Sequence, residues 1–221
     1  MEQVISSAVE DYAKAIYALQ REDETVSTNA LAARLGVTPA SASAMVKKLG
    51  GLGLVRHEPY KGVTLTPDGK RVALEVLRHH RLLELYLAET LDMPWDRVHD
   101  EAEVLEHVIS EELEALIAAK LGNPTHDPHG HPIPTPELTI DEGQTVSLHE
   151  LEPGASGVFV RISDSDPEML RYLGARGIRP GDRLEVLDKQ PFDGPMFVLF
   201  GETTHVLGGA LAHAMRVEVT R

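Results

Sequence analysis

The sequence predicts a mainly helical chain with added β structure: an N-terminal winged helix-turn-helix, a helical middle and a C-terminal SH3-like β-barrel. Three observations predict it. Helical periodicity, punctuated by capping residues, recurs three times before residue 52. Two long amphipathic runs follow between residues 67 and 121. A Pro-rich stretch then gives way to short β-type runs separated by Gly and Pro turns. The expected domains are 1–71, 72–122 and 146–221, with a linker at 123–145.

Val9, Tyr12, Ala13, Ile16 and Leu19 keep helical spacing, which predicts a helix over about residues 7–21. Ser27-Thr28-Asn29 offers caps for a second helix through Leu35, and Gly36 breaks it. Thr38 caps a third helix, with Pro39 at the first helical position, where a missing N–H costs nothing. Ala42, Met45, Val46 and Leu49 form its buried stripe, and Gly50-Gly51 ends it. Residues 54–57 and 63–66 read as strands around a Pro/Gly turn, the wing. One long helix is expected from Pro67 to about Leu91 and another from about Trp95 to Leu121, both with more apolar surface than two neighbours need. Pro124, Pro128, Pro132, Pro134 and Pro136 exclude a continuous helix beyond them. Strands are expected at 145–148, 157–162, 183–187, 196–200 and 216–220, with a brief helix at 167–173.

Composition removes several function classes. Among 221 residues there is no Cys, which excludes disulfides, thiolate metal sites and a cysteine nucleophile. No run approaches the ~18 apolar residues of a membrane span, and no basic-then-apolar leader opens the chain, so a soluble, cytoplasmic protein is expected. The net charge is −14, unevenly spread: +1 over residues 1–71, −12 over 72–145 and −3 over 146–221. Only the N-terminal third can approach phosphates at low electrostatic cost.

The chemistry concentrates in the acidic middle. On one helix, His99, Glu103, Glu106 and His107 fall within a sector about 100° wide, bordering the stripe of Val98, Ala102, Leu105 and Ile109. One helix earlier His80 and Glu84 stand at i and i+4, and Asp11 sits beside the apolar stripe of the first helix. Carboxylates and imidazoles beside a buried face are costly unless something satisfies them. The donor set suits a divalent cation of the borderline-to-hard range, Mn²⁺ or Fe²⁺, with Zn²⁺ and Co²⁺ as further candidates. The bland alternative is a solvated acidic face laced with helix ion pairs. His126, His129 and His131, in the Pro-rich stretch, are weaker signals; His79 is expected to face solvent, and His205 and His213 show no ligand partners.

These motifs carry a resemblance. Glu10-Asp11-Tyr12, the helix-turn-helix with Pro39, Arg78-His79-His80-Arg81-Leu82-Leu83-Glu84, Val98-His99-Asp100-Glu101-Ala102-Glu103 with Glu106-His107, and His131-Pro132-Ile133-Pro134 resemble the DtxR/MntR family of metal-dependent transcriptional repressors over nearly the whole chain. The C-terminal part resembles the FeoA-type domain of its longer members. The resemblance implies a primary metal site at Asp11, Glu103, Glu106 and His107. It implies an ancillary one at His80, Glu84 and His99, completed from the stretch 164–169, where Asp166 and Glu168 are the candidates. Carboxylates at positions 11 and 103 harden the primary site toward Mn²⁺, with Fe²⁺ as the alternative. Lys14 stands where the manganese branch often has a further Glu.

The function implied is a homodimeric repressor of metal-homeostasis genes that binds palindromic operator DNA when metal-loaded, with no membrane or small organic substrate as partner. The expected DNA contacts are Thr38, Pro39, Ala40, Ser41, Ser43, Lys47 and Lys48 on the recognition helix, with Arg56 and Lys61 in the wing. A divalent-metal hydrolase and a metal-free, ligand-responsive regulator are the rivals. The first would leave the winged helix without a role, so no enzyme is expected.

Overall fold

The computed structural model describes residues 5–21, 25–58 and 61–220. It divides into two compact units: Met1–His80 with Val104–Ser110 and Pro134–Thr139, and Arg81–Glu103 with Glu111–Ile133 and Ile140–Arg221. No helix of the described residues is long and apolar enough to cross a membrane.

In the first unit α1 (Ser7–Gln20), α2 (Thr28–Arg34) and α3 (Pro39–Gly51) pack around one core. Ile16, Leu31 and Leu49 are wholly buried there, each stabilising the fold by about 1.5–3 kcal/mol. The caps form as expected: Ser27 accepts from the Ala30 N–H and Thr38 from the Ser41 N–H, both at 3.1 Å. The wing is β1 (Val55–Glu58) paired antiparallel with β2 (Gly62–Leu65). Val26 adds a bridge to Val63 that periodicity could not reveal, because a single paired residue has no pattern. α4 (Pro67–Leu91) runs 25 residues, as expected.

The expected helix over 95–121 is two helices, α5 (Val98–Leu105) and α6 (Glu111–Lys120). The backbone leaves the helix after Leu105 in a turn, where the Val108 N–H meets the Leu105 carbonyl at 3.1 Å. Val108-Ile109 is a β-branched pair with weak helix preference. Ser110 and the acidic first turn of α6 then restart the helix in the polarity its dipole favours. The Pro-rich stretch carries hydrogen bonds of its own. Within it the Asp127 N–H bonds the His131 carbonyl at 2.9 Å and the Ile133 N–H bonds the Thr125 carbonyl at 2.8 Å.

The C-terminal region is a six-stranded antiparallel sheet built from β3 (Val146–Ser147), β4 (Ser156–Ile162), β5 (Arg183–Lys189), β6 (Met196–Phe200), β7 (Thr203–Leu207) and β8 (Met215–Thr220). The order is β3-β8-β4-β5-β6-β7. It is SH3-like in size, and among the described residues its pairing runs in an open line, without a β3–β7 ladder. Phe159, Ile162, Leu173, Val198 and Met215 fill its core together with Trp95. β7 escaped prediction because Thr203-Thr204-His205 is polar and mostly exposed. α7 (Pro167–Gly174) was expected, whereas α8 (Gly209–Ala214) was hidden behind Gly208-Gly209.

Candidate metal centre

In the first unit, Glu106 stands in the turn that ends α5 and is 1 % exposed. Its Oε2 accepts from His80 Nδ1 and its Oε1 from Lys14 Nζ, both at 2.5 Å. Burial opposes ionisation of this carboxyl, but the His80 bond and the Lys14 charge prevail and hold its pKa below the ordinary value. His79 is buried, with Nδ1 3.2 Å from the Glu106 carbonyl, and does not face solvent as expected. The turn rather than the helix face sets these contacts.

His107 points into the same place. Its Nε2 lies 2.9 Å from Asp11 Oδ1 and 3.4 Å from Glu106 Oε1, and its Nδ1 lies 2.6 Å from Glu10 Oε2. With Nδ1 turned to Glu10, Nε2 faces two carboxylate oxygens, and a cation held between them would satisfy all three groups. Asp11, Glu106 and His107 offer ligand atoms all within 4.8 Å of one another. Two carboxylates and an imidazole whose other nitrogen is anchored fit a divalent cation of the Mn²⁺ to Fe²⁺ range. Glu103, expected with them, belongs to the second unit, where its Oε1 lies 3.9 Å from His99 Nε2. It stands one helical turn from His99 on α5, which explains that contact.

In the second unit Glu84, on α4, is wholly buried, and its Oε1 lies 3.3 Å from His99 Nδ1. Asp164 Oδ2 approaches the same nitrogen at 3.4 Å. Bonding to Asp164 and Glu84, against burial, pushes the His99 pKa up to about 10. Burial works against the Asp164 charge, but the His99 bond prevails and holds its carboxyl well below the usual range. Asp166 and Glu168 do not take this position. Asp166 caps α7, its Oδ1 accepting from the Glu168 N–H at 2.9 Å and the Met169 N–H at 3.3 Å, and Glu168 is exposed. Asp166, ahead of the helix-starting Pro167, serves as the cap through Oδ1.

His129 is more than the weak signal expected of a Pro-rich stretch. It is 0 % exposed, its Nε2 donates to the Trp95 carbonyl at 2.7 Å, and its Nδ1 lies 3.6 Å from Glu84 Oε2. That Nδ1 has no hydrogen-bond partner among the described residues. Burial lowers the His129 pKa, yet the neighbouring Glu84 outweighs it and pushes the value up to about 9. The loop holding it is stiffened by Asp127, whose Oδ1 accepts from the backbone N–H groups of His129 at 2.8 Å and His131 at 2.9 Å. Gly130 closes the loop at φ +85°, and a Cβ there would stand 1.8 Å from the Val160 carbonyl oxygen. The readable signal was Asp127-Pro128-His129-Gly130, an Asx turn followed by an obligatory glycine.

On α3 the outward residues Pro39, Ala40, Ser41, Ser43, Ala44, Lys47 and Lys48 are all exposed, and so are Thr38, Arg56 and Lys61. Lys61 Nζ pairs with Glu58 Oε2 at 2.7 Å, an exposed pair worth little. Ser43 Oγ donates to the Pro39 carbonyl at 2.9 Å. The face is smooth and modestly basic. Separate apolar surface is exposed at Val104 and Val108 in the first unit and at Leu113 and Leu116 in the second.

Three sequence profiles match in chain order. Residues 5–63 match an iron dependent repressor N-terminal DNA binding domain, 66–135 an iron dependent repressor metal binding and dimerisation domain, and 146–219 a FeoA domain. An iron-dependent repressor, IdeR, of Mycobacterium tuberculosis is 33% identical over 222 residues, covering 95% of this chain and 96% of its own. A solved manganese-dependent transcriptional repressor in complex with manganese is 43% identical, with TM-score 0.89, over 96% of this chain and all of that one (100%). The manganese regulator SloR follows at 30% identity and TM-score 0.77, covering 96% of this chain and 98% of its own.

Proposed function

The chain belongs to the DtxR/MntR family of metal-dependent transcriptional repressors, and from that premise we propose that Asp11, Glu106 and His107 form the site through which a divalent cation, Mn²⁺ before Fe²⁺, controls its binding to DNA. The observation that carries the reading is the His107 ring, locked on Glu10 through Nδ1 and facing both carboxylates through Nε2. Asp11 belongs to α1, whose Val9, Tyr12 and Ile16 share one core with α2 and α3. Glu106 and His107 belong to the turn that ends α5. A bound cation would supply two positive charges where carboxylates otherwise repel, and Asp11 would thereby tie the DNA-reading core to that turn. Coupling of this kind is reciprocal, so operator DNA tightens metal binding by the same factor.

The second set is Glu84, His99 and Asp164, with His129 beside Glu84; His80 and Glu103 remain candidates from the sequence motifs. Two metal sites per subunit follow. Oxygen-rich ligands favour Mn²⁺ over softer ions by ligand type, although the affinity order places Fe²⁺ above it. The name of the 43% identical structure supports manganese, and that of the mycobacterial relative supports iron. The role we propose is regulatory rather than enzymatic, a reading supported by the exposed α3 face, which suits the reading of DNA. Ala40, Ser41 and Ser43 would lie against base edges, with Thr38, Lys47, Lys48, Arg56 and Lys61 at phosphates. A homodimer presents two such helices to half-sites about one turn, ~34 Å, apart, which demands a palindromic operator.

The test is selection from a random duplex pool with Mn²⁺, with Fe²⁺ under anaerobic conditions, and with chelator, for wild type and His107→Gln. A palindrome enriched only with metal, and lost in the variant, is the expected result. Equal enrichment under chelator would overturn the metal gate.

A further inference from the structure

A third cluster lies in the sheet domain and takes no part in that scheme. His149 comes from the 3₁₀ turn Leu148–Glu150, His213 from α8, and Asp193 from the tip of the β5–β6 hairpin. The two imidazole rings stack with centroids 3.9 Å apart and planes inclined by 28°. A single oxygen serves both: Asp193 Oδ1 lies 3.0 Å from His213 Nε2 and 3.4 Å from His149 Nδ1. The three residues offer ligand atoms within 4.8 Å of one another.

An ordinary surface ion pair between Asp193 and His213 accounts for one of these contacts and leaves the others without a reason. His149 Nδ1 is shielded from solvent and makes no hydrogen bond of good geometry among the described residues, a costly placement for a ring nitrogen. The His149 backbone is pinned by a capping box, in which Ser147 Oγ accepts its N–H and Glu150 reaches back to Ser147. Asp193 sits at the tip of the hairpin, where it and Phe192 are consecutive non-glycine residues at φ 58° and 61°. Opposite them stands Gly209, where a Cβ would lie 2.8 Å from Asp193 Oδ1 and 2.7 Å from the Asp193 carbonyl. Glycine at this place is what admits the carboxylate.

We propose that His149, Asp193 and His213 form a third cation site that takes Zn²⁺, Ni²⁺ or Co²⁺ in preference to Mn²⁺. Two imidazoles and one carboxylate are a nitrogen-rich set, which the later first-row ions bind far better than Mn²⁺. The spacing fits. Ligand atoms about 2.1 Å from a tetrahedral ion stand about 3.4 Å from one another, and the two nitrogen–oxygen separations here are 3.0 and 3.4 Å. The fourth position is left to water. Such an ion staples the 3₁₀ turn, the hairpin and α8 together without using any group of the two regulatory sets.

The test is Zn²⁺ uptake by the full chain, read by equilibrium dialysis with metal analysis. Wild type is compared with Asp193→Asn and His213→Gln, both at exposed positions. An Asp11→Asn/His99→Gln variant runs in parallel. Each of the first two variants is expected to bind one ion fewer per chain than wild type, whereas the third keeps the ion at this site. In a Zn²⁺-soaked crystal an anomalous peak should lie within about 2.0–2.2 Å of the three ligand atoms. Unchanged stoichiometry in both Asp193→Asn and His213→Gln, or Zn²⁺ peaks only elsewhere, overturns the assignment. Mn²⁺-dependent DNA binding measured on the same variants separates this site from the gate: its retention is expected, and its loss would assign the cluster to the gate instead.

Discussion

Lys14→Met should tighten Mn²⁺ binding by about 10- to 100-fold. The Lys14 ammonium sits 2.5 Å from Glu106 Oε1, the same oxygen that faces His107 Nε2 at 3.4 Å. Lys14 thus acts as a resident cation that neutralises the carboxylate when no metal is bound. A divalent ion entering there has to displace the ammonium or accept a positive neighbour, and both weaken binding. A hydrogen bond to a charged group contributes about 1.5–3 kcal/mol, and about 1.4 kcal/mol is tenfold in affinity, which gives the range. The Glu106 side chain is 0% exposed and that of Lys14 17%, so solvent screens the pair little. Methionine keeps the aliphatic stem in place. The metal-free variant should also melt lower, because Glu106 loses the Lys14 charge and keeps His80 at 2.5 Å and His107 at 3.4 Å, so the gap between metal-free and Mn²⁺-loaded melting widens. Isothermal titration with Mn²⁺ at 0.15 M salt, with paired thermal melts, reads both quantities. Unchanged or weaker Mn²⁺ affinity would refute the reasoning and recast Lys14 as a residue that holds Glu106 in place for the ion.

Three further expectations are independent of it. The His99 pKa is raised from 6.5 to about 10, so its contribution to the metal-free fold is complete below about pH 6.5 and is lost as pH rises through about 10; melts across that window should show a fall that His99→Gln flattens, with His129 leaving a smaller slope near 9. Asp164→Ala should lower metal stoichiometry by dialysis, whereas Asp166→Ala should leave it intact and cost about 1 kcal/mol in denaturant melts through loss of the α7 cap. If both variants keep full stoichiometry, Asp164 is no ligand. Lys47→Ala and Lys48→Ala should each reduce the salt dependence of DNA binding by about one unit of slope, and Lys61→Ala, already paired with Glu58, by less; anisotropy titrations over a salt series measure this.

Local chemistry was legible along the chain. Thr38-Pro39 announces the start of α3 because a cap and a proline at N1 act within one turn, and the stripe of Ala42, Val46 and Leu49 orients the helix without reference to any partner. The same rule, applied to Asp166-Pro167, would have identified a cap and left Asp164 for His99. The break after Leu105 was not legible, because helical periodicity continues through Glu106 and His107. What holds Glu106 is His80 and Lys14, residues 26 and 92 positions away. His129 looked like part of a loose Pro-rich loop, and its burial depends on the Asp127 turn and on Gly130 meeting the Val160 backbone.

The sequence by itself thus determined the order of elements, the recognition helix, the metal-binding residue types and the family resemblance, since each rests on contacts within a few residues or on motif spacing. Tertiary structure alone decided which of those groups meet. A buried carboxylate or imidazole takes whatever counter-charge the packing brings to it, and the cost of leaving it without one, several kcal/mol in a low-dielectric interior, is set by neighbours remote in the chain.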